Sequence, residues 1–289
     1  MEPITFEGAD GVRIAADIGG PSHGPVVVLL HGGGQTRQSW GGTAQALADS
    51  GYRVVSLDAR GHGESGWAPD GFYSMDGFVG DLLAVLKQVP GRPALVGASL
   101  GGLTAMTAIG ESDAPIANAL VLVDIAPKMN RNGTAKIQAF MQAYPDGFAS
   151  LEEAADAVEA YLPQRKRPRS TDGLKRNLRP DATGRLRWHW DPAFVQPRKW
   201  DPKFQDRFDE AARNLSVPTL LVRGSRSEVV DEEAIRHFQE LVPNARLAEL
   251  EGAGHMVAGD SNDAFNEAIL PFLAEARQGI DLAKHSFNV

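Results

Sequence analysis

The order of apolar runs along this chain predicts an α/β fold: a parallel sheet wrapped by helices and interrupted once by an inserted segment. Three observations carry that expectation. Short apolar runs alternate with stretches of helical character, the order that lays parallel strands side by side with crossover helices between them. One run, Val26-Val27-Val28-Leu29-Leu30, contains no polar residue, which suits a strand buried on both faces. Residues 127–216 then break the alternation with a segment rich in Arg, Lys, Pro and Trp, after which Pro218-Thr219-Leu220-Leu221-Val222 resumes it.

In chain order, residues 4–6 and 13–18 read as strands, followed by 26–30. A helix is expected over 39–50, with Gly51 as its C-terminal stop. A strand over 53–57, a glycine-rich loop and a helix near 75–88 come next, and a strand over 94–96 runs into a further helix through residues 97–101. Residues 119–123 form another apolar strand. The inserted segment offers helical pieces such as 151–161 but no clear buried strand, and it reads as a lid on a core made of 1–126 and 217–289. A helix near 231–241, a strand over 245–250 and a closing helix near 263–276 complete the pattern.

Composition narrows the function. With 289 residues the chain can bury one large core. Its 29 Lys and Arg against 37 Asp and Glu leave a formal charge of −8. That argues against a nucleic-acid partner, which needs a basic surface to displace counterions. No stretch approaches the ~20 apolar residues of a membrane span. Met1-Glu2-Pro3-Ile4 lacks the basic-then-apolar pattern of a secretory leader. Cysteine is absent, which removes disulfides, thiolate metal sites and a cysteine nucleophile. A cytoplasmic protein is expected.

Three motifs carry chemistry. Gly97-Ala98-Ser99-Leu100-Gly101 is a G-x-S-x-G sequence between an expected strand and an expected helix. It would present Ser99 on a tight, strained turn, with glycines letting the neighbouring backbone pass and helix N–H groups facing the reaction. His31-Gly32-Gly33-Gly34 follows directly on the all-apolar strand. The N–H of Gly33, or of its neighbour Gly34, would join that of Leu100 in an oxyanion hole, while His31 would hold the loop by hydrogen bonding. The loop cannot be a P-loop, because no Gly-Lys-Ser/Thr completes it. Finally, Gly252-Ala253-Gly254-His255-Met256 places a histidine on a glycine-bracketed loop after the last strand. From there it could reach Ser99 as general base. The histidines at 23, 62, 189, 237 and 285 have no comparable placement.

Together with Asp58-Ala59-Arg60-Gly61-His62-Gly63-Glu64-Ser65, these motifs make the chain resemble the α/β-hydrolase superfamily over nearly its whole length. The resemblance implies a mostly parallel eight-stranded sheet flanked by helices, a helical lid inserted after strand six, no cofactor and no metal, and a Ser–His–acid triad. It also implies that residues 58–65 are structural. The acid is the open position. Many relatives carry it three residues after the glycine of a turn following strand seven. Here that turn reads Gly224-Ser225-Arg226-Ser227. Glu228 stands next in line, but neighbouring residues at a strand end point differently. Asp124, at the end of strand six, is favoured, because a buried carboxylate needs partners that a catalytic imidazole would supply.

The expected activity is hydrolysis of a carboxylic ester or lactone of apolar character through an acyl-enzyme on Ser99. A cofactor-independent perhydrolase would use the same triad, and a ligand receptor that has lost turnover is the non-enzymatic alternative. Dehalogenase and epoxide-hydrolase chemistry is excluded, since both need a carboxylate at the position of Ser99. Trp188, Trp190, Phe194 and Trp200 would either line an acyl pocket or form the lid's own core.

Overall fold

The structure, a computed structural model, describes residues 1–163, 170–196, 203–255 and 262–279. Its main sheet is built from β1 (Glu2–Glu7), β2 (Arg13–Gly19), β3 (Val26–Leu30), β4 (Arg53–Leu57), β5 (Ala94–Ala98) and β6 (Ala119–Val123). A small hairpin of β7 (Leu178–Pro180) and β8 (Leu186–Trp188) intervenes before β9 (Thr219–Gly224) and β10 (Arg246–Leu250) return to the sheet. The eight strands lie in the order β1-β2-β4-β3-β5-β6-β9-β10. Only β2 runs against its neighbours β1 and β4; the six strands β4, β3, β5, β6, β9 and β10 are parallel.

Alternation along the buried strands sends side chains to two separate layers. Val26, Val28 and Leu30 of β3 enter a core with Leu95, Leu120 and Leu221. Val27 and Leu29 enter the opposite one with Val54, Val96 and Val121. The second layer is closed by Leu47 of α1 (Gly41–Asp49) and by Phe265, Ile269 and Phe272, which belong to the closing helix. The first is closed by α2 (Met75–Gln88) and α3 (Leu100–Gly110). Ser74 caps α2, its hydroxyl accepting the N–H of Gly77 at 3.1 Å. Every residue of α3 from Gly101 to Gly110 is buried, so this helix is apolar all round.

The inserted segment contributes α4 (Arg131–Gln142), α5 (Leu151–Tyr161) and the β7–β8 hairpin; α5 and the hairpin share a small core of Phe148, Ala154, Ala157 and Leu178, while Ile137 of α4 packs on the main one. The hairpin is compatible with the expectation of no clear buried strand, since of its six residues only Leu178 is buried. Its strands are three residues each, too short to display an alternating pattern, and the turn is made by Asp181. One Asp181 oxygen accepts the N–H groups of Thr183 and Arg185 at 2.8 and 3.1 Å, and Gly184 takes the positive φ of 81°. The next helix, α6 (Lys203–Arg213), packs on α3 at the flank of the sheet rather than with the rest of the segment. Then come α7 (Glu232–Leu241), capped by Asp231, and α8 (Asn262–Arg277). Among the described residues no helix is long and apolar enough to cross a membrane.

Candidate active site

Ser99 sits on the sharp turn from β5 into α3, with φ at 46°. A non-glycine residue held there is strained by roughly 1–3 kcal/mol. The turn is tight enough to require its flanking glycines: a Cβ on Gly97 would lie 2.5 Å from the carbonyl oxygen of Gly101, and one on Gly101 would lie 2.4 Å from that of Leu30. The strain presents the Ser99 hydroxyl at the N-terminus of α3, where the first N–H groups, that of Leu100 among them, have no partner within the helix.

The glycine loop after β3 is pinned by three buried imidazoles. His31 donates from Nδ1 to the carbonyl of Gly32 (2.7 Å) and accepts the Ala59 N–H at Nε2 (3.0 Å). His62 donates from Nδ1 to the carbonyl of Arg60 (3.0 Å) and accepts the Gly34 N–H at Nε2 (3.0 Å). His189, just beyond β8, accepts the Gly63 N–H at Nδ1 (2.8 Å) and donates from Nε2 to the Gly34 carbonyl (3.3 Å). Both sides of the Gly34 residue are thus taken, its N–H by the loop of residues 58–65 and its carbonyl by the inserted segment. Of the two glycines considered as oxyanion donors, this commits Gly34 elsewhere. Neither His62 nor His189 was recognisable as part of the site from sequence, because the contacts join positions 28 and 126 residues apart.

Burial keeps all three rings neutral. It lowers His31 despite the opposing pull of Asp58, drives His62 well below the ordinary imidazole value with help from His31 and His189, and brings His189 to about 4. The unfolded chain therefore binds more protons than the folded one between pH ~6.5 and ~4, and stability must fall as pH drops through that window. His189 alone contributes about 3 kcal/mol to the loss. Urea unfolding at pH 7 and pH 4.5 should show the decline, and His189→Asn should flatten it. A His189→Asn protein with an unchanged pH slope would contradict the assignment.

The charges of residues 58–65 are consumed by structure. Asp58, fully buried, accepts the N–H groups of Arg37 and Glu64 at 2.7 and 2.9 Å and pairs with the Arg37 guanidinium. Arg60 pairs with Asp81 at 2.6 Å.

His255 and Asp124 meet across the ends of β10 and β6. His255 Nδ1 is 2.7 Å from Asp124 Oδ2. A carboxylate only accepts, so Nδ1 carries a proton, and in the neutral ring the lone pair is on Nε2. Asp124 is completely buried, with φ at 49°. Its Oδ1 accepts the Gly224 N–H at 3.1 Å and its Oδ2 also accepts the Ser227 hydroxyl at 2.6 Å. Glu228, the alternative acid, faces the other way, in an exposed ion pair with Lys136 at 2.7 Å.

Ser99, His255 and Gly32 through Gly34 line one cavity of about 460 Å³, an ordinary size for a small-molecule site. Its far wall is apolar, made by Ile137, Phe140, Met141, Trp188, Trp190 and Phe194. Trp188 and Trp190 stack at 5.1 Å between ring centroids. Trp188 also packs on the segment's small core, so lining the pocket and filling that core are not exclusive roles. Trp200 lies outside the described residues.

A family model for the alpha/beta hydrolase fold matches residues 25–261, and the chain belongs to that family. The esterase Rv0045c of Mycobacterium tuberculosis is 29% identical over 256 residues, covering 85% of this chain and 81% of its own. The non-heme chloroperoxidase CPO-A1 of Kitasatospora aureofaciens is 30% identical over 281 residues, covering 91% and 97%. Among solved structures, a thioesterase domain from the curacin biosynthetic pathway superposes with a TM-score of 0.76 at 27% identity, over 93% of this chain and 99% of its own.

Proposed function

We propose that the protein is a serine hydrolase of neutral, apolar carboxylic esters or lactones, with Ser99 as nucleophile, His255 as base and Asp124 as the acid that orients it. The observation that carries this reading is the shared cavity: Ser99 and His255 line one chamber with an apolar far wall, and the far nitrogen of His255 is engaged by a buried carboxylate. His255 Nε2 takes the Ser99 proton as Oγ attacks the carbonyl carbon. Negative charge then collects on the former carbonyl oxygen, for which the N–H groups of Gly33 and Leu100 are the donors, each worth about 3 kcal/mol of barrier. Collapse of the tetrahedral intermediate expels the alcohol, which receives the proton from His255. Water, deprotonated by the same imidazole, releases the acid.

The segment from α4 to β8 serves as the lid of this chamber and supplies its acyl-facing wall. Among the described residues lining the cavity there is no Asp, Glu, Lys or Arg. A charged acyl group would therefore be desolvated without a counter-charge. A panel of p-nitrophenyl esters and lactones, run beside Ser99→Ala, tests the reading: neutral apolar acyl groups should turn over fastest. Preference for an acyl group bearing a carboxylate would contradict the substrate class.

The chloroperoxidase relative supports a second reading, in which hydrogen peroxide replaces water as acyl acceptor on the same triad. Peracid formation in acetate and peroxide, lost with Ser99→Ala, would establish it.

A further inference from the structure

Ser227 stands three residues beyond Gly224, and the backbone aims its hydroxyl. A hydroxyl has one hydrogen to give and two lone pairs. The N–H groups of Val229 and Val230 donate to the Ser227 oxygen at 3.1 and 3.0 Å, which occupies both lone pairs. The remaining direction leads to Asp124 Oδ2 at 2.6 Å, and a carboxylate can only accept. The hydrogen therefore has one destination. The backbone that does the aiming is itself tied down where the chain enters the lid: the Asn130 N–H donates to the Val229 carbonyl at 2.8 Å, and the Asn130 amide to Asp231 at 2.9 Å.

Asp124 Oδ2 is the oxygen that receives the His255 Nδ1 proton. The Gly224 N–H grips only Oδ1, and one grip leaves a carboxylate free to rotate about its Cβ–Cγ bond. We propose that Ser227 is a positioning residue for the hydrolysis. Its backbone-aimed hydroxyl is the second grip, which fixes Oδ2 toward His255, and it shares that oxygen's negative charge with the imidazole. The proposal rests on the Ser99–His255–Asp124 assignment above.

Two consequences separate this role from loop stiffening. Without the hydroxyl the carboxylate turns more freely, so turnover falls while substrate binding, which Ser227 does not touch, is preserved. The charge formerly shared with the hydroxyl also falls wholly on the imidazolium, so the acid limb of the kcat/KM profile moves to higher pH. Threonine, which keeps a hydroxyl on the same carbon, should restore both.

The test compares Ser227→Ala, Ser227→Thr and Asp124→Asn on a p-nitrophenyl ester across pH 5–9, with unfolding midpoints measured for each. Ser227→Ala should lose roughly ten- to a hundredfold in kcat, the range for a hydrogen bond to a charged group, with KM little changed and the acid limb displaced upward. Ser227→Thr should stay near wild type in both. If Ser227→Ala fails to fold, Ser227→Cys, similar in shape but a weak donor, takes its place under the same criteria. A folded Ser227→Ala or Ser227→Cys enzyme with wild-type kcat and an unmoved pH profile, beside a crippled Asp124→Asn, overturns the positioning role and leaves the triad standing. An Asp124→Asn enzyme as active as wild type overturns the triad itself.

Discussion

Ser99→Ala should reduce ester hydrolysis to background, a loss on the order of 10⁵–10⁶ in kcat, as when the nucleophile of a working triad is removed. No other single change is expected to cost as much. The protein should remain folded, because the serine lies on a turn at the cavity wall and its hydroxyl fills no part of the core. The φ of 46° sharpens the expectation: Ser99→Gly should be equally dead yet more stable, by up to about 1 kcal/mol, because glycine adopts that conformation without strain. Steady-state rates and urea midpoints on both variants check the pair. A fluorophosphonate probe should label Ser99 in the wild type and fail to do so once His255 is replaced. Full activity in either Ser99 variant would end the nucleophile assignment.

Asp124→Asn comes second, with an expected loss of about 10⁴ in kcat. An asparagine amide facing His255 Nδ1 with its NH₂ group forces the proton to the other nitrogen, and the lone pair that should take the Ser99 proton disappears. Glu228→Gln should be within a few-fold of wild type, since its carboxylate is exposed and engaged with Lys136, and surface pairs of this kind contribute ~0–1 kcal/mol. Parallel single-turnover assays decide the matter. A mild Asp124→Asn beside a crippling Glu228→Gln would move the acid to the end of β9.

The sheet was largely legible in the sequence because its physics is local. Five apolar residues in a row between 26 and 30 are too few for a helix and suit a strand covered on both sides, and each strand–helix alternation fixes its own neighbourhood. The elbow at Ser99 and the glycine loop at 32–34 were legible for the same reason, since each needs particular residues within a few positions. The choice between Asp124 and Glu228 was not local. It depends on which carboxylate reaches a histidine 131 residues beyond Asp124, and nothing in the chain near either residue encodes that distance. The same holds for His189, whose partner Gly63 lies 126 residues away, and for the β7–β8 hairpin, whose three-residue strands hold too little of the two-residue alternation to stand out. Ser227 was visible only as an irregularity, a hydroxyl where a carboxylate was expected. Its hydrogen bonds are what give it meaning.

The grip of His189 on Gly34 bears on how such an enzyme could change its substrate. Exchanging the stretch from α4 through His189 for that of a relative with no histidine at its end looks like a modular way to install a new acyl preference, with rate and selectivity varying independently. Here they cannot. The graft would arrive without the imidazole that holds the Gly34 carbonyl and the Gly63 N–H, and the loop carrying Gly33 would be released on one side. A chimera should therefore acquire its new preference together with a turnover deficit, one that returns when a histidine is rebuilt at the matching position. Selection for a new substrate would have to keep that one residue while the walls around it change.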